Sequence, residues 1–166
     1  MTRDPDIILR PARPADQEAL GRLGALLVAV HHGFDAARFM APGPGTARGY
    51  GSYLVSQLEE ADVVVLVAEE ASEVVGYTYS GVEGTDYMAL RGPAGVVYDL
   101  VVDPDRRRRG LGGRLLRETL DRLVARGAPR VVLSTAHSNE AAQRLFAATG
   151  FRPTMIEMTW DPPPQG

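Results

Sequence analysis

From residue 7 onward, short continuous apolar runs alternate with longer stretches in which apolar side chains recur every three or four positions. Ile7-Ile8-Leu9-Arg10 predicts a first strand, closed by Pro11 and Pro14. Ala15-Asp16 then offers a helix N-cap, and Leu20, Leu23, Leu26, Leu27 and Val30 follow at helical spacing. Residues 31–51 are rich in Gly and Pro, with a short helix expected near Asp35–Met40 and another over Gly49–Glu60. Asp62–Glu69 holds an unbroken β-branched run, the mark of a strand buried on both faces. The chain turns at 70–73, and Val74–Val82 returns as its antiparallel partner before an irregular polar loop, Thr85–Gly95.

A further strand is predicted over Gly95–Val102, ended by Pro104. Gly110–Arg126 predicts a strong helix, with Leu111, Leu115, Leu116, Leu120, Leu123 and Val124 on one face and Gly127 as its stop. Arg130–Thr135 predicts a strand. Ser138 or Asn139 then caps a helix that turns Ala142, Leu145 and Phe146 inward and ends on Gly150. Met155–Trp160 is expected to form a last strand before a Pro-rich tail, 161–166. There is no internal repeat and no linker. The pattern describes one α/β domain over residues 1–166, with a mixed sheet.

Composition narrows the chemistry. The 166 residues suit a single core, and the absence of Cys removes disulfides, thiolate metal sites and any cysteinyl acyl-enzyme. All 18 basic residues are Arg, so Walker A phosphate binding and Schiff-base catalysis are excluded for want of a lysine. A net charge of −3 speaks against nucleic acid or an anionic membrane as the main partner. The N-terminal residues lack the apolar run of a signal peptide, and the longest run, 63–68, is too short to span a bilayer. A cytoplasmic protein is therefore expected. The charge is uneven: residues 99–130 carry nine Arg against five acids, a local +4, which leaves −7 on the remainder. A local basic site on an acidic body suits a small polyanionic ligand.

That site centres on Val101-Val102-Asp103-Pro104-Asp105-Arg106-Arg107-Arg108-Arg109-Gly110-Leu111-Gly112-Gly113. A strand running into glycines that open a helix presents free backbone N–H groups at the positive end of the helix dipole. Gly110, Gly112 and Gly113 leave those groups uncovered, and Arg107, Arg108 and Arg109 can add charge-assisted hydrogen bonds, while Arg106 reads as an ordinary surface residue. The Rossmann fingerprint does not fit, because Leu115 stands where its third glycine belongs and the strand 130–135 has no acid for a ribose.

Arg107-Arg108-Arg109-Gly110-Leu111-Gly112 resembles motif A of the GNAT (Gcn5-related) acetyltransferases: Arg or Gln, two residues, Gly, one residue, then Gly or Ala. Asn139-Glu140-Ala141-Ala142 with Gly150-Phe151 resembles that family's second signature. The resemblance runs over roughly residues 7–160 and is strongest over 96–151. It implies a GNAT fold, a mostly antiparallel mixed sheet splayed into a V and flanked by helices. It also implies acetyl-CoA as donor and no metal, with the pyrophosphate on the amides from Arg107 through Arg108, Arg109, Gly110, Leu111 and Gly112 to Gly113. The pantetheine arm would enter the V beside Leu100, Val101 and Val102, and Asn139 and Phe146 would lie along it. Family members often form homodimers, which adds that expectation here.

The implied reaction is acetyl transfer to a primary amine of a small molecule or peptide, by direct attack in a ternary complex. It requires alignment, a proton acceptor for the amine and a donor for the developing oxyanion. Asp99 is the first candidate base, since burial beside the acetyl position would raise its pKa. Glu83 is the second, and Tyr98, His137 or water are candidates for the acid. The family's usual Tyr acid position holds Phe146, which has no proton to give. Tyr77, Tyr79, Tyr87 and Trp160 are candidates for lining an acceptor cleft. His31-His32 does not read as a metal site, because consecutive residues rarely converge on one ion. The acidic remainder favours a cationic acceptor such as a polyamine, an aminoglycoside-like amine, or a protein N-terminus or lysine. The alternatives are a non-catalytic acyl-CoA-binding module and transfer of another acyl group.

Overall fold

The computed structural model describes residues 6–107 and 109–165. Five strands form one sheet in the order β1 (Ile7–Pro11), β2 (Val63–Glu70), β3 (Glu73–Glu83), β4 (Ala94–Val102) and β5 (Val131–Leu133). Pairing is antiparallel from β1 through β4 and parallel between β4 and β5. Helices α1 (Gln17–Phe34) and α2 (Thr46–Ser56) cover one face, and α3 (Leu111–Ala125) covers the other, with α4 (Glu140–Thr149) beside it. The apolar run in β2 has the double role its composition predicts. Val64, Leu66 and Ala68 pack with Leu111, Leu115 and Leu123 on the α3 side, while Val65 and Val67 pack with Leu20, Leu23 and Leu54 on the other.

Three glycines let α1 and α2 approach closely. A Cβ on Gly21 would lie 2.2 Å from the Ala47 carbonyl oxygen, and one on Gly51 would lie 2.4 Å from that of Gln17. One on Gly24 would meet the Tyr50 ring at 2.2 Å. The entry to α1 is fixed by Asp16, which is buried and takes both outer nitrogens of Arg10 at 2.8 and 2.9 Å as well as the Arg13 N–H.

Two expected elements differ. Residues 35–40 form turns around Asp35, whose Oδ1 accepts from the N–H groups of Ala37 and Arg38, and no helix forms there. Met155–Trp160 is not a strand: residues 151–165 carry no regular structure, and no ladder forms there. The strand expected over 130–135 shortens to Val131–Leu133, the three residues that pair with Gly95–Val97. Beyond Val97 the β5 side of β4 is open, and this opening is the V of the sheet.

Candidate active site

A β-bulge sets the chemistry of β4. Tyr79 pairs with Asp99 and Ser80 with Val97, so Tyr98 is an extra residue that shifts the side-chain alternation. Val97, Leu100 and Val102 consequently face the α3 core, while Asp99 and Val101 face α1 and α2. There Asp99 is 8 % exposed, and its Oδ2 accepts from the Tyr50 hydroxyl at 2.8 Å and the Tyr77 hydroxyl at 2.9 Å. Burial pushes the Asp99 carboxyl above the usual carboxylate range, and the two tyrosine bonds offset only part of that. Burial and the neighbouring carboxylate push Tyr50 and Tyr77 upward as well, so both hydroxyls stay protonated.

Glu83 ends β3 with both carboxylate oxygens engaged. Oε2 accepts from Arg91 and Oε1 from the Tyr98 hydroxyl, each at 2.6 Å. The Tyr98 ring stacks on Tyr79, centroids 4.7 Å apart, and burial followed by Glu83 pushes its hydroxyl pKa up. Tyr77 is fully buried and serves Asp99 rather than lining a cleft, and Trp160 and Tyr87 are about four-fifths exposed.

The open cleft beside this cluster is lined by Val28, Met40, Thr46, Gly49, Tyr50 and Tyr53, with a volume of about 300 Å³. Tyr50 stands between it and Asp99. The Tyr53 hydroxyl lies 3.1 Å from that of Tyr79, which donates to Gln57 Oε1 at 3.3 Å. Tyr50, Tyr53 and Gln57 escape sequence reasoning, although Tyr50-x-x-Tyr53 has the spacing of one helix face.

On the opposite side of β4, the Asp103 N–H bonds to the Val75 carbonyl at 2.8 Å. By the alternation of a strand, the backbone groups of Leu100 and Val102 point the other way, into the V. The Val102 carbonyl accepts from Arg107 Nε at 3.3 Å, which confirms its direction. The chain then makes a short 3-10 turn, Pro104–Arg106, and enters α3 through Gly110. Gly110 has φ +71°, so its lack of a side chain is a conformational requirement. The first bond of α3 runs from Arg114 N–H to the Gly110 carbonyl, so the N–H groups of Leu111, Gly112 and Gly113 have no partner within the helix. Leu111 itself is a core side chain and offers only its backbone. Gly112 has a second reason to be glycine, because a Cβ there would lie 3.3 Å from Leu145 on α4, whereas one on Gly113 would make ordinary contact.

The arginines divide differently from the sequence expectation. Arg106 is not an ordinary surface residue: it donates through Nε to Glu70, a buried carboxylate at the end of β2, and Arg109 donates to the same carboxylate at 2.7 Å. Burial pushes Glu70 up, but the hydrogen bonds of Arg109 and Arg106 outweigh it and hold the carboxyl below its usual range. Glu70 therefore fastens the loop on both sides of Arg107. Arg108 lies outside the described residues. Asn139 caps α4, its Oδ1 accepting from Ala142 N–H at 3.2 Å, and Phe146 is half-buried against Phe151. His31 and His32 set Nδ1 at 2.9 and 3.0 Å from the carbonyls of Leu27 and Phe39. Among the described residues no helix is long and apolar enough to cross a membrane.

The chain is thus an α/β domain whose mixed sheet parts at the edge of β4, beside the glycine-opened first turn of α3. Residues 47–151 match the acetyltransferase (GNAT) family, and the chain belongs to that family. YhfO, an N-acetyltransferase of Bacillus subtilis, is 32 % identical over 106 residues, covering 63 % of this chain and 68 % of that protein. The [ribosomal protein bS18]-alanine N-acetyltransferase of Salmonella typhimurium is 39 % identical over 70 residues, 42 % of this chain and 47 % of its own length. Among solved structures, a tetramutant of the Bacillus halodurans protein BH1408 superimposes with a TM-score of 0.78 at 22 % identity, over 93 % of this chain and 99 % of that one. The aminoglycoside N-acetyltransferase AAC(6')-Iy in complex with CoA superimposes with a TM-score of 0.72 at 14 % identity, over 98 % and 99 %. At those identities the likeness is one of fold.

Proposed function

We propose that this chain transfers the acetyl group of acetyl-CoA to a primary amine by direct attack, with Asp99 receiving the amine proton through Tyr50. The observation that carries the reading is the open edge of β4 from Asp99 to Val102, which leads into first-turn N–H groups of α3 that have no partner within the helix. The residues fit acetyl-CoA. The N–H groups of Leu111, Gly112 and Gly113 suit a pyrophosphate, with Arg107 beside them, and the outward backbone groups of Leu100 and Val102 suit the amides of the pantetheine arm. Asn139 and Phe146 flank that path from α4.

The cleft beside Tyr50 and Tyr53 would receive the amine. As its nitrogen forms a bond to the thioester carbonyl carbon, the carbon–sulfur bond breaks and CoA leaves as thiolate. Tyr50 accepts the amine proton while passing its own to Asp99 Oδ2, 2.8 Å away. An ordinary thiol pKa of about 8.5 makes the thiolate a tolerable leaving group, so Phe146 in place of an acid does not stop the reaction. With no Cys in the chain, the acetyl group has no cysteinyl stop on the way.

The reading is tested by measuring CoA release over a panel of a polyamine, an aminoglycoside and peptides with free N-termini or lysines. Turnover with at least one acceptor is expected. Tight acetyl-CoA binding without turnover on any of them would favour the non-catalytic reading, and absence of binding would end both. A second expectation concerns the loop. Glu70→Gln keeps the shape but loses the charge that holds Arg106 and Arg109, so KM for acetyl-CoA should rise about tenfold. Since Glu70 lies away from Asp99, kcat should change little; steady-state kinetics against acetyl-CoA give both numbers.

A further inference from the structure

The cleft beside Tyr50 has apolar walls and one polar point. Val28 contributes a buried side chain from α1. Met40, on the turn after α1, and Tyr53, on α2, face the same cleft and remain 70 and 51 % exposed. Gly45 and Gly49 add no side chain, and a Cβ on either would meet nothing within 4 Å. The turn that carries Met40 is held to α1 through its neighbour Phe39. The Phe39 ring packs edge-on against His31 at 5.1 Å, and its carbonyl lies 3.0 Å from His32 Nδ1.

The polar atoms of the lining are already engaged. Thr46 Oγ1 accepts from the Gly43 N–H at 2.8 Å, and the Tyr53 hydroxyl lies 3.1 Å from that of Tyr79. The Tyr50 hydroxyl donates to Asp99, which leaves its oxygen lone pairs to accept from an amine. None of the residues lining the cleft is charged. The acid excess of the sequence is committed elsewhere: Asp16 and Glu69 pair with Arg10, Glu70 with Arg106 and Arg109, Glu83 with Arg91, and Glu157 with Arg38.

We propose that the acceptor is a monoamine borne on a ring-sized apolar group, its nitrogen at Tyr50 and its hydrocarbon against Val28, Met40 and Tyr53. The inference rests on the acetyl-transfer reading above and gives that reaction its acceptor. A volume of about 300 Å³ suits one ring or a short alkyl chain. The amine must be neutral to attack, and an apolar cleft favours the neutral form. A second ammonium would lose its water with no carboxylate in the lining to replace it. Polyamines and aminoglycosides, which net charge favours, therefore suit this cleft poorly.

The test measures initial rates at saturating acetyl-CoA for n-propylamine through n-hexylamine, 2-phenylethylamine, the dipeptide Phe-Gly, spermidine and kanamycin. The alkylamines share one ammonium pKa, so that series isolates hydrocarbon burial. Their kcat/KM should rise about threefold per methylene, and 2-phenylethylamine should exceed spermidine and kanamycin by about a hundredfold, the yield of roughly four such methylenes. Whether 2-phenylethylamine or Phe-Gly reacts faster distinguishes a free amine from a peptide α-amine. A flat alkyl series, or faster turnover of spermidine or kanamycin, would overturn the inference and leave acetyl transfer standing. No turnover of any amine by a chain that binds acetyl-CoA would overturn both. Gly49→Leu supplies a second measurement, because its side chain enters the cleft without meeting the fold. The circular dichroism spectrum and KM for acetyl-CoA should hold, while kcat/KM for 2-phenylethylamine falls about tenfold or more and that for n-propylamine falls less. An equal loss for both amines, or no loss for either, would show that the hydrocarbon does not lie in this cleft.

Discussion

Asp99→Asn is expected to lower kcat by about a hundredfold or more, the usual contribution of a positioned base, and to remove the acid limb of the pH–rate profile. In the unsubstituted protein that limb should lie above the ordinary carboxylate range, because burial raises the Asp99 pKa. Below that pKa the carboxylate is protonated and cannot take the proton relayed by Tyr50. Stability should move the other way, and the sign follows from linkage. A carboxyl whose folded pKa exceeds its unfolded value binds more protons in the native state, so stability falls as pH rises between the two values. Above the folded pKa the full penalty of a buried charge remains. Asn carries no charge, and its Oδ1 can still accept from the hydroxyls of Tyr50 and Tyr77, so Asp99→Asn should be at least as stable as the parent at neutral pH. Kinetics across pH, together with thermal unfolding at pH 5 and pH 8, check both halves. An unchanged profile would remove Asp99 from the chemistry.

Much of the frame was legible along the chain. The run in β2, the leucine stripe of α3, the Gly110 entry and the Gly150 stop all depend on local pattern, and local pattern predicts them well. The segment 155–160 misled for a physical reason. Its composition is that of a strand, but a strand needs a neighbour to bond with, and local pattern carries no information about that neighbour. The Gly110 entry to α3 was legible from its glycines, while the ion pairs made by the neighbouring arginines were not. Arg106 and Arg109 both turn to Glu70, which is about 36 residues distant from Arg106 and carries no local sign of burial. Asp99 was singled out because it lies on the strand beside the expected acetyl position. Its partners were not, since Tyr50 and Tyr77 reach it from α2 and β3, and the Tyr98 bulge that aims it at them is a property of strand pairing. The paired signal was nevertheless present: glycines at 21, 24 and 51 are the kind of spacing that lets two helices touch.

Those glycines carry the second large effect, and two of them should fail differently. Gly51→Ala would set a Cβ 2.4 Å from the Gln17 carbonyl oxygen and 3.2 Å from the Gly21 backbone. Both are main-chain atoms inside α1, so relief requires the helices to separate along their whole contact. A loss of about 3 kcal/mol is expected, at the upper end for overpacking, measured by denaturant unfolding. Gly24→Ala meets the Tyr50 ring instead, at 2.2, 2.5 and 2.8 Å from three of its atoms. A ring can tilt where a backbone cannot, so the fold should yield less, but the tilt carries the Tyr50 hydroxyl off Asp99. Activity should then fall together with that of Tyr50→Phe, which removes the same hydrogen bond without moving the helix. A double-mutant cycle separates this route from general damage. If Gly24→Ala acts through Tyr50, adding it to Tyr50→Phe should cost little further kcat, whereas independent losses that simply multiply would show that Gly24→Ala acts by another route.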